Sequence, residues 1–226
     1  MSLSLFQTTH ARLRGDILSG RLAPGQRLRL EDLHAGYGAS VPTLREVLNR
    51  LASEGLVVSE DQRGFAVAPI SAANLLELAG LRKLIEGHAL ELSFRRGTVA
   101  WESEVVAAHH KLSRIENRLM AGEPADRDEW KRYDFGFHQT LIAACGSGEL
   151  LAIHRAVFDK YLRYQMIFLT FRGAIAAKEH KALLEAALTR DIVTARAVLD
   201  RHVDGGVQHA LAAQGEPAHQ PVRAGE

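Results

Sequence analysis

A helical hydrophobic period that runs almost unbroken from Ser71 to about residue 213 constrains the fold more than any other feature. Apolar residues recur there every three to four positions, and only short breaks such as "AGEPA" and "GSG" interrupt them. The sequence predicts helices at roughly 71–95, 98–121, 126–145, 149–172, 174–189 and 191–213. Because the connections are short, consecutive helices should be antiparallel neighbours, and we expect an all-α antiparallel six-helix bundle.

Residues 1–70 follow a different pattern, of short elements broken by turns. The sequence predicts an amphipathic helix that ends at Gly20, a short helix around Glu31 to Ala35, and a longer helix through "PTLREVLNRLASEG". Two apolar runs around a tight turn in "LVVSEDQRGFAVAP" predict a β-hairpin. This order is typical of a winged helix-turn-helix, whose last helix enters the major groove of DNA. The predicted organisation is mainly α, with a DNA-binding domain at 1–70, a bundle at 71–213 and a disordered tail at 214–226.

Charge and cysteine content narrow the class of protein. The 28 Lys and Arg nearly balance the 27 Asp and Glu, so a net charge of +1 argues neither for nor against a nucleic-acid partner. The single cysteine, Cys145, excludes an internal disulfide framework and favours a reducing compartment. Since the sequence has neither a leader pattern nor an apolar run of roughly 18 residues, we expect a cytoplasmic protein with no membrane partner.

Six residues of the first half are predicted to contact double-stranded DNA. Two hydroxyl residues begin the predicted recognition helix, where hydroxyls and free N–H groups can meet phosphates. Two arginines follow in that helix, and an arginine and a glycine occupy the hairpin tip, where arginine suits a narrow minor groove. Taken alone, each arginine could be ordinary exposed charge, but their order and spacing favour DNA contacts. The six residues are Ser40, Thr43, Arg45, Arg50, Arg63 and Gly64.

Three motifs of the first half occur in an order that is specific to one family: "ILSGRLAPGQRL", "ASVPTLREVLNRLASEGLV" and "DQRGFAVAP". They resemble the DNA-binding domain of the GntR superfamily of bacterial transcription regulators and cover nearly all of residues 8–69. The family commonly reads Ser-Arg-Thr-Pro where this chain has Ser40-Val41-Pro42-Thr43, and many members have an arginine where this chain has Glu31. Fewer positive side chains imply a lower non-specific affinity for DNA.

Four residues of the second half are predicted to form a metal site. Asp134 and His138 lie four apart on the inner stripe of one helix, and His180 and His202 fall on the inner stripes of two others. A buried carboxylate needs a counter-charge, and imidazoles with a carboxylate suit zinc, and also nickel, iron or manganese. One inward histidine alone is more often a core imidazole, whereas this set favours a metal. Three other histidines are interpreted as structural, namely His109, His110 and His154.

Arg82 lies on the inner stripe of the first bundle helix and allows two interpretations. It can form an i, i+4 ion pair with Glu86, or its guanidinium can grip the carboxylate of a small effector bidentately. Both can hold if Glu86 orients Arg82.

The second half carries "LRKLIEGHALELS", "DFGFHQTLIAACGS" and "EHKALLEAALTRDIVTARAVLDRHV". These motifs resemble the FCD ligand-binding domain of the FadR subfamily of the same regulators. In metal-binding members the ligands are the Asp and His of a D-x-x-x-H helix and two later histidines, which implies Asp134, His138, His180 and His202 here. Six helices are closer to the VanR-like branch than to FadR itself, so an acyl-CoA ligand is not implied.

The leading hypothesis is a homodimeric, metabolite-responsive transcription factor on an approximately palindromic operator, with a metal that holds a small carboxylate effector. One alternative is a metal-dependent hydrolytic enzyme, and another is a regulator whose metal is structural or is itself the signal. Against the enzyme, the sequence has no H-E-x-x-H motif. Glu179 is also expected to point off the inner stripe, which leaves no positioned general base.

Overall fold

The structure is a computed structural model that describes residues 4–60, 64–124, 126–168 and 171–214. Within these residues it has nine α-helices and one three-stranded antiparallel sheet, which confirms the mainly α fold class. The first half contains α1 (Leu5–Leu18), β1 (Arg27–Leu28), α2 (Leu30–Tyr37), α3 (Val41–Ser53), β2 (Val57–Glu60) and β3 (Gly64–Val67). The second half contains α4 (Ala72–Arg96), α5 (Val99–Met120), α6 (Arg127–Ile142), a 3-10 turn (Ala143–Cys145), α7 (Gly148–Ile167), α8 (Ala174–Thr189) and α9 (Ile192–Gln214).

Local signals set both ends of α3, the predicted recognition helix. Ser40 caps its N-terminus by accepting a hydrogen bond from the Thr43 N–H, and Pro42 lies in the first turn. Gly55 follows the helix with a φ of 73°, a left-handed conformation that glycine adopts without strain. The buried face of α3 is the one that the sequence predicted, with Leu44, Val47, Leu48 and Leu51 in the core of the first half.

The hairpin is part of a larger sheet than the sequence predicted. β2 and β3 pair with Glu60 opposite Gly64, and β1 pairs with the other edge of β3, with Arg27 opposite Ala66. Two residues are too few to show an alternating pattern, so β1 was not predicted. Arg63 and the residues after Gln214, where the disordered tail was predicted, lie outside the described residues.

The six helices α4 to α9 form the predicted bundle, with α4 packed against α6, α7 and α9. The predicted helix bounds agree within a few residues except at α7, which was expected to reach residue 172 and ends at Ile167. Beyond that end, Phe171 packs edge-on against Trp130, with 5.0 Å between ring centroids. Arg172 ion-pairs there with Glu179.

Helix α7 also touches the first half of the chain. Arg14 of α1 pairs with both Glu54 and Asp159, and Arg163 donates a hydrogen bond to the Ala68 carbonyl. Ser71 caps α4, so the boundary proposed between residues 70 and 71 coincides with the start of that helix. One helix of the bundle thus contacts both the first half of the chain and the bundle core.

Candidate metal centre and nucleic-acid interface

Four buried side chains from three helices converge inside the bundle. α6 supplies Asp134 and His138 one turn apart, α8 supplies His180 and α9 supplies His202. One ligand-type atom from each lies within 4.8 Å of the others. The ring centroids are 4.7 Å apart for His180 and His202, and 5.2 Å apart for His138 and His202. The structure therefore brings together all four residues that the sequence predicted as metal ligands.

Each of the three histidines has its Nδ1 atom next to a glutamate. The distance is 2.5 Å from His138 to Glu86, 2.7 Å from His180 to Glu116, and 2.9 Å from His202 to Glu179. A carboxylate can only accept, so each Nδ1 donates its proton, and Nε2 is the ring nitrogen that could coordinate a metal ion. Such carboxylate–histidine pairs orient imidazoles that ligate metals. Glu179 contradicts the sequence analysis here, because it bonds His202 rather than pointing off the inner stripe.

Arg82 belongs to α4, and its side chain is buried against α6 and α7. Its Nε donates to Glu86 Oε2 at 2.8 Å, and its Nη2 lies 3.2 Å from both ring nitrogens of His138. The guanidinium carbon lies 4.2 Å from the centroid of the Phe158 ring. The i, i+4 pair with Glu86 is therefore present, and the residue is fully buried.

His154, which the sequence analysis interpreted as structural, belongs to the same network. Its Nε2 lies 3.0 Å from Glu86 Oε2, and its Nδ1 contacts the Gln139 amide. Glu86 thus contacts Arg82, His138 and His154 together. The i, i+4 spacing predicted the contact between Glu86 and Arg82. The contacts of Glu86 with His138 and His154 join separate helices and could not be predicted from sequence spacing.

The charges of the cluster explain how Asp134 is accommodated in the core. Burial alone would raise the pKa of this carboxyl, but the contact with His180 and the charge of Lys131 hold it well below its usual range. Burial alone would lower the pKa of His180, but Asp134 and Glu116 raise it to about 9. Burial lowers the pKa of both His138 and His202. Without a metal, a protonated His180 is therefore the counter-charge of Asp134.

The donor set fits a divalent ion of the first transition series. Three imidazoles and one carboxylate are the ligands that such ions prefer in proteins. His180 Nε2 is buried and lies 3.3 Å from Asp134 Oδ1, but it makes no well-aligned hydrogen bond to any described residue. A metal ion could bind this nitrogen by displacing its proton.

A small cavity of about 10 Å³ adjoins the cluster. Its described lining is Trp130, Lys131, Asp134, Gln165, Arg172, Ala176, His180 and His202. Arg82 is not among these residues. A larger cavity of about 720 Å³ lies elsewhere, between the two halves, where Arg14, Arg50, Arg155 and Asp159 contribute to its lining.

The structure separates the predicted DNA contacts into two groups. Arg45 is exposed at the start of α3 and shares a shallow groove with Gly64 of the β2–β3 hairpin, which is the wing of the winged helix-turn-helix. The hydroxyls of Ser40 and Thr43 lie 3.0 Å apart beside the same helix end. Arg50 lies near the far end of α3, where it pairs with Glu54 at 3.4 Å.

Two arginines that the sequence analysis did not single out line the same groove as Arg45 and Gly64. They are Arg27 of β1 and Arg29, the residue before α2. Because β1 was not predicted, its position beside the wing could not be foreseen. Among the residues that the structure describes, the groove therefore has three arginines, although Val41 and Glu31 replace arginines that are common in the family.

A winged helix-turn-helix joined to a bundle with a buried cluster of metal-ligating residues defines the class of DNA-binding transcription regulators with a sensory domain. Residues 5–67 match the model of the family described as bacterial regulatory proteins, gntR family, and residues 77–205 match that of the FCD domain. The chain belongs to the gntR family and carries an FCD domain. Domains of this type commonly bind a divalent metal ion and small-molecule effectors.

Similar proteins cover nearly the whole chain. It is 35% identical to the uncharacterized HTH-type transcriptional regulator BphR of Paraburkholderia xenovorans, over 90% of this chain and 84% of that protein. It is 32% identical to the HTH-type transcriptional repressor GlaR of Escherichia coli, over 84% of this chain and 89% of GlaR. The solved structure of E. coli McbR/YncC shares the fold, with a TM-score of 0.78 at 18% identity over 94% of this chain and 100% of that one.

The family and these relatives are transcription regulators, so the chain is a DNA-binding regulator and not an enzyme. The alternative of a metal-dependent hydrolase has no support in the comparisons. In the parts of the chain that the structure describes, no helix is both long and apolar enough to cross a membrane.

Proposed function

We propose that this regulator is a cytoplasmic homodimer that binds an approximately palindromic operator and responds to a small carboxylate metabolite at a metal-centred site. The observation that carries this proposal is the cluster of Asp134, His138, His180 and His202, in which every histidine is oriented by a glutamate. Such orientation is characteristic of metal ligands rather than of isolated core histidines. Zinc suits the donor set best, and nickel, iron or manganese would also fit it.

Two sets of residues would have different roles at this site. The four ligands hold the ion, and Glu86, Glu116 and Glu179 keep the imidazoles in the required tautomer. A bound divalent ion supplies a Lewis-acidic attachment point for one oxygen of the effector. The effector contact predicted for Arg82 remains a prediction, because this guanidinium is occupied by Glu86 and His138 and does not line the cavity described above.

For DNA reading, we propose that the N-terminus of α3 and the wing contact the operator through Ser40, Thr43, Arg45, Arg63 and Gly64. The exposed groove that contains Arg45 and Gly64 supports this assignment. Arg50 remains a predicted contact, but its pairing with Glu54 at the other end of α3 gives it less support.

For the dimer, we propose an interface that includes the outer face of α4. Leu81 and Leu84 are three residues apart on this helix, Leu76 lies about two turns before Leu84, and the three are 46%, 64% and 54% exposed. A second copy of the chain would remove these side chains from water. Sedimentation should show a dimer for the parent protein and monomers for Leu84→Glu.

Communication between the halves would use α7. This helix carries His154, which contacts Glu86 behind the metal centre, and Asp159, which pairs with Arg14 of the DNA-binding half. Effector binding that moves α7 would change the spacing of the two DNA-binding domains in the dimer.

The test is a titration of operator binding with metal, with and without small carboxylic acids. We expect the metal-loaded protein to change its operator affinity about 5- to 150-fold when the right acid is present. His180→Ala should lose the metal and this response together. If the metal alone gives the whole change, the metal is the signal. If neither metal nor any acid alters DNA binding, the metal is structural and the proposed sensor is wrong.

A further inference from the structure

The cavity beside the candidate metal centre is lined by donor groups. Trp130 is 6% exposed, and its indole Nε1 has no hydrogen-bond partner among the described residues. Lys131 is 4% exposed, and its Nζ donates to Gln165 Oε1 at 2.6 Å and lies 3.7 Å from the centroid of the Trp130 ring. A buried donor without an acceptor costs free energy, so this wall favours a ligand with acceptor oxygens.

The ammonium group of Lys131 also lacks a nearby opposite charge. Within the described residues, no carboxylate oxygen lies within 4.0 Å of its Nζ, whereas Arg82 and Arg172 each pair with a glutamate. An amide oxygen and an aromatic face solvate this ammonium only in part. Lys131 is therefore the one of these three cations whose charge is still unmatched at close range.

A count of charges around the centre points to the charge of the ligand. Among the described residues, the centre has three cationic side chains and four carboxylates, a net charge of −1 with neutral histidines. The cations are Arg82, Lys131 and Arg172, and the carboxylates are Glu86, Glu116, Asp134 and Glu179. A divalent ion held by neutral imidazoles changes this net charge from −1 to +1. One carboxylate group on the effector restores neutrality, which matters in a site shielded from water.

Resting on the proposed function, we infer that Lys131 and Arg172, with the indole N–H of Trp130, hold the effector's carboxylate and select small monocarboxylates. Arg82 instead supports Glu86 and His138 from behind the centre. A cavity of about 10 Å³ has room for about one water molecule. Arg172, whose side chain is 11% exposed and lies 3.1 Å from His202 Nδ1, must therefore move away from His202 and bind the carboxylate in its new position when the effector enters.

The experiment measures metal and carboxylate binding separately on the full-length protein loaded with Zn²⁺. The variants are Lys131→Met, Arg172→Gln and Trp130→Phe, with Lys111→Met and Arg114→Gln as exposed controls on α5. Calorimetry and thermal shift would use formate, acetate, propionate and lactate, with acetamide as the uncharged match for acetate. Lys131→Met should keep the zinc stoichiometry and weaken binding of the best acid by at least about tenfold, because a charge-assisted hydrogen bond is lost. Lys131→Arg should recover most of this affinity.

Three outcomes overturn the inference. If Lys131→Met and Arg172→Gln hold zinc and bind the acid as the parent does, the carboxylate lies elsewhere. If Lys131→Met loses zinc as well, Lys131 supports the metal centre instead. If the zinc-loaded parent binds no acid of the panel, the proposed carboxylate sensor fails together with the inference, a result distinct from the first two. Should Lys131→Met not fold, Trp130→Phe decides, because it keeps an aromatic ring at this position and removes the indole N–H donor.

Discussion

At the scale of single residues, three glutamates determine what the three histidines can do. Glu86, Glu116 and Glu179 each accept from an Nδ1 atom, and they come from α4, α5 and α8. This arrangement fixes the ring orientation before a ligand arrives. It also leaves Nε2 as the coordinating atom, so the strength of metal binding should depend on residues that do not touch the metal.

The first prediction concerns Glu116, which contacts His180 and is 1% exposed. Glu116→Gln should weaken zinc binding by about 10- to 100-fold, because the amide no longer fixes the tautomer of His180 through a charge. Competition with a zinc-chelating dye measures this change. Glu104→Gln, an exposed position on the same helix, should leave the affinity unaltered. Equal zinc affinities for the two variants would show that Glu116 does not support the metal centre.

The second prediction concerns Arg45, which lines the groove between the start of α3 and the wing. Arg45→Ala should weaken operator binding and lower the slope of log affinity against log salt by about one unit, because one phosphate or base contact is lost. Gel-shift assays at several salt concentrations measure it, with Arg114→Ala as the matched control on the bundle surface. An unchanged salt slope would show that Arg45 makes no ionic contact with DNA.

The ligand set could be predicted from the sequence because ligand spacing follows the helical period. Asp134 and His138 are one turn apart on one helix, and the period shows which stripe faces inward. Their partners could not be predicted, since the pairing of His180 with Glu116 depends on how α8 slides and rotates against α5. Lys131 was missed because a lysine is expected on a surface.

At the scale of elements, helix ends are determined locally and strand pairs are not. The cap at Ser40 and the left-handed glycine after α3 are visible in the sequence, and the predicted helices are found. β1 is only two residues long and exists because β3 offers it a free edge. The early end of α7 likewise depends on tertiary packing, because Phe171 beyond the helix packs against Trp130.

The third prediction tests the end of α3. Gly55 has a φ of 73°, and an added Cβ would lie 2.7 Å from Lys160 Nζ. Gly55→Ala should destabilise the protein by about 1–2 kcal/mol, because an L residue is strained in this conformation and the lysine must move. Gly36→Ala, inside α2 with open space around it, should be neutral or stabilising by up to about 1 kcal/mol. Chemical denaturation compares the two, and an equal effect would contradict the assigned backbone conformation.

At the scale of the whole molecule, the candidate metal centre involves residues of all six helices of the bundle. Ligands come from α6, α8 and α9, supporting glutamates from α4, α5 and α8, and α7 is connected through His154 and Glu86. Removing the metal should therefore loosen the bundle as a unit rather than one helix alone.

The fourth prediction concerns metal removal. At a free zinc concentration one hundred times its dissociation constant, binding stabilises the folded state by about 2.7 kcal/mol. For a chain of this size, chelation should lower the melting temperature by roughly 5–11 °C. Calorimetry with and without a chelator measures the shift, and His180→Ala should melt at the same temperature in both conditions. A parent protein that is insensitive to the chelator would contradict a metal centre in the bundle.

The spread of the centre along the chain has a consequence for its biosynthesis. Its earliest glutamate is Glu86 on α4, and its final proposed ligand is His202 on α9, the last of the described helices. A growing chain on the ribosome cannot complete the ligand set until α9 has emerged from the exit tunnel. Zinc uptake during translation should therefore mark the last stage of domain formation, and nascent chains that stop before α9 should remain without zinc.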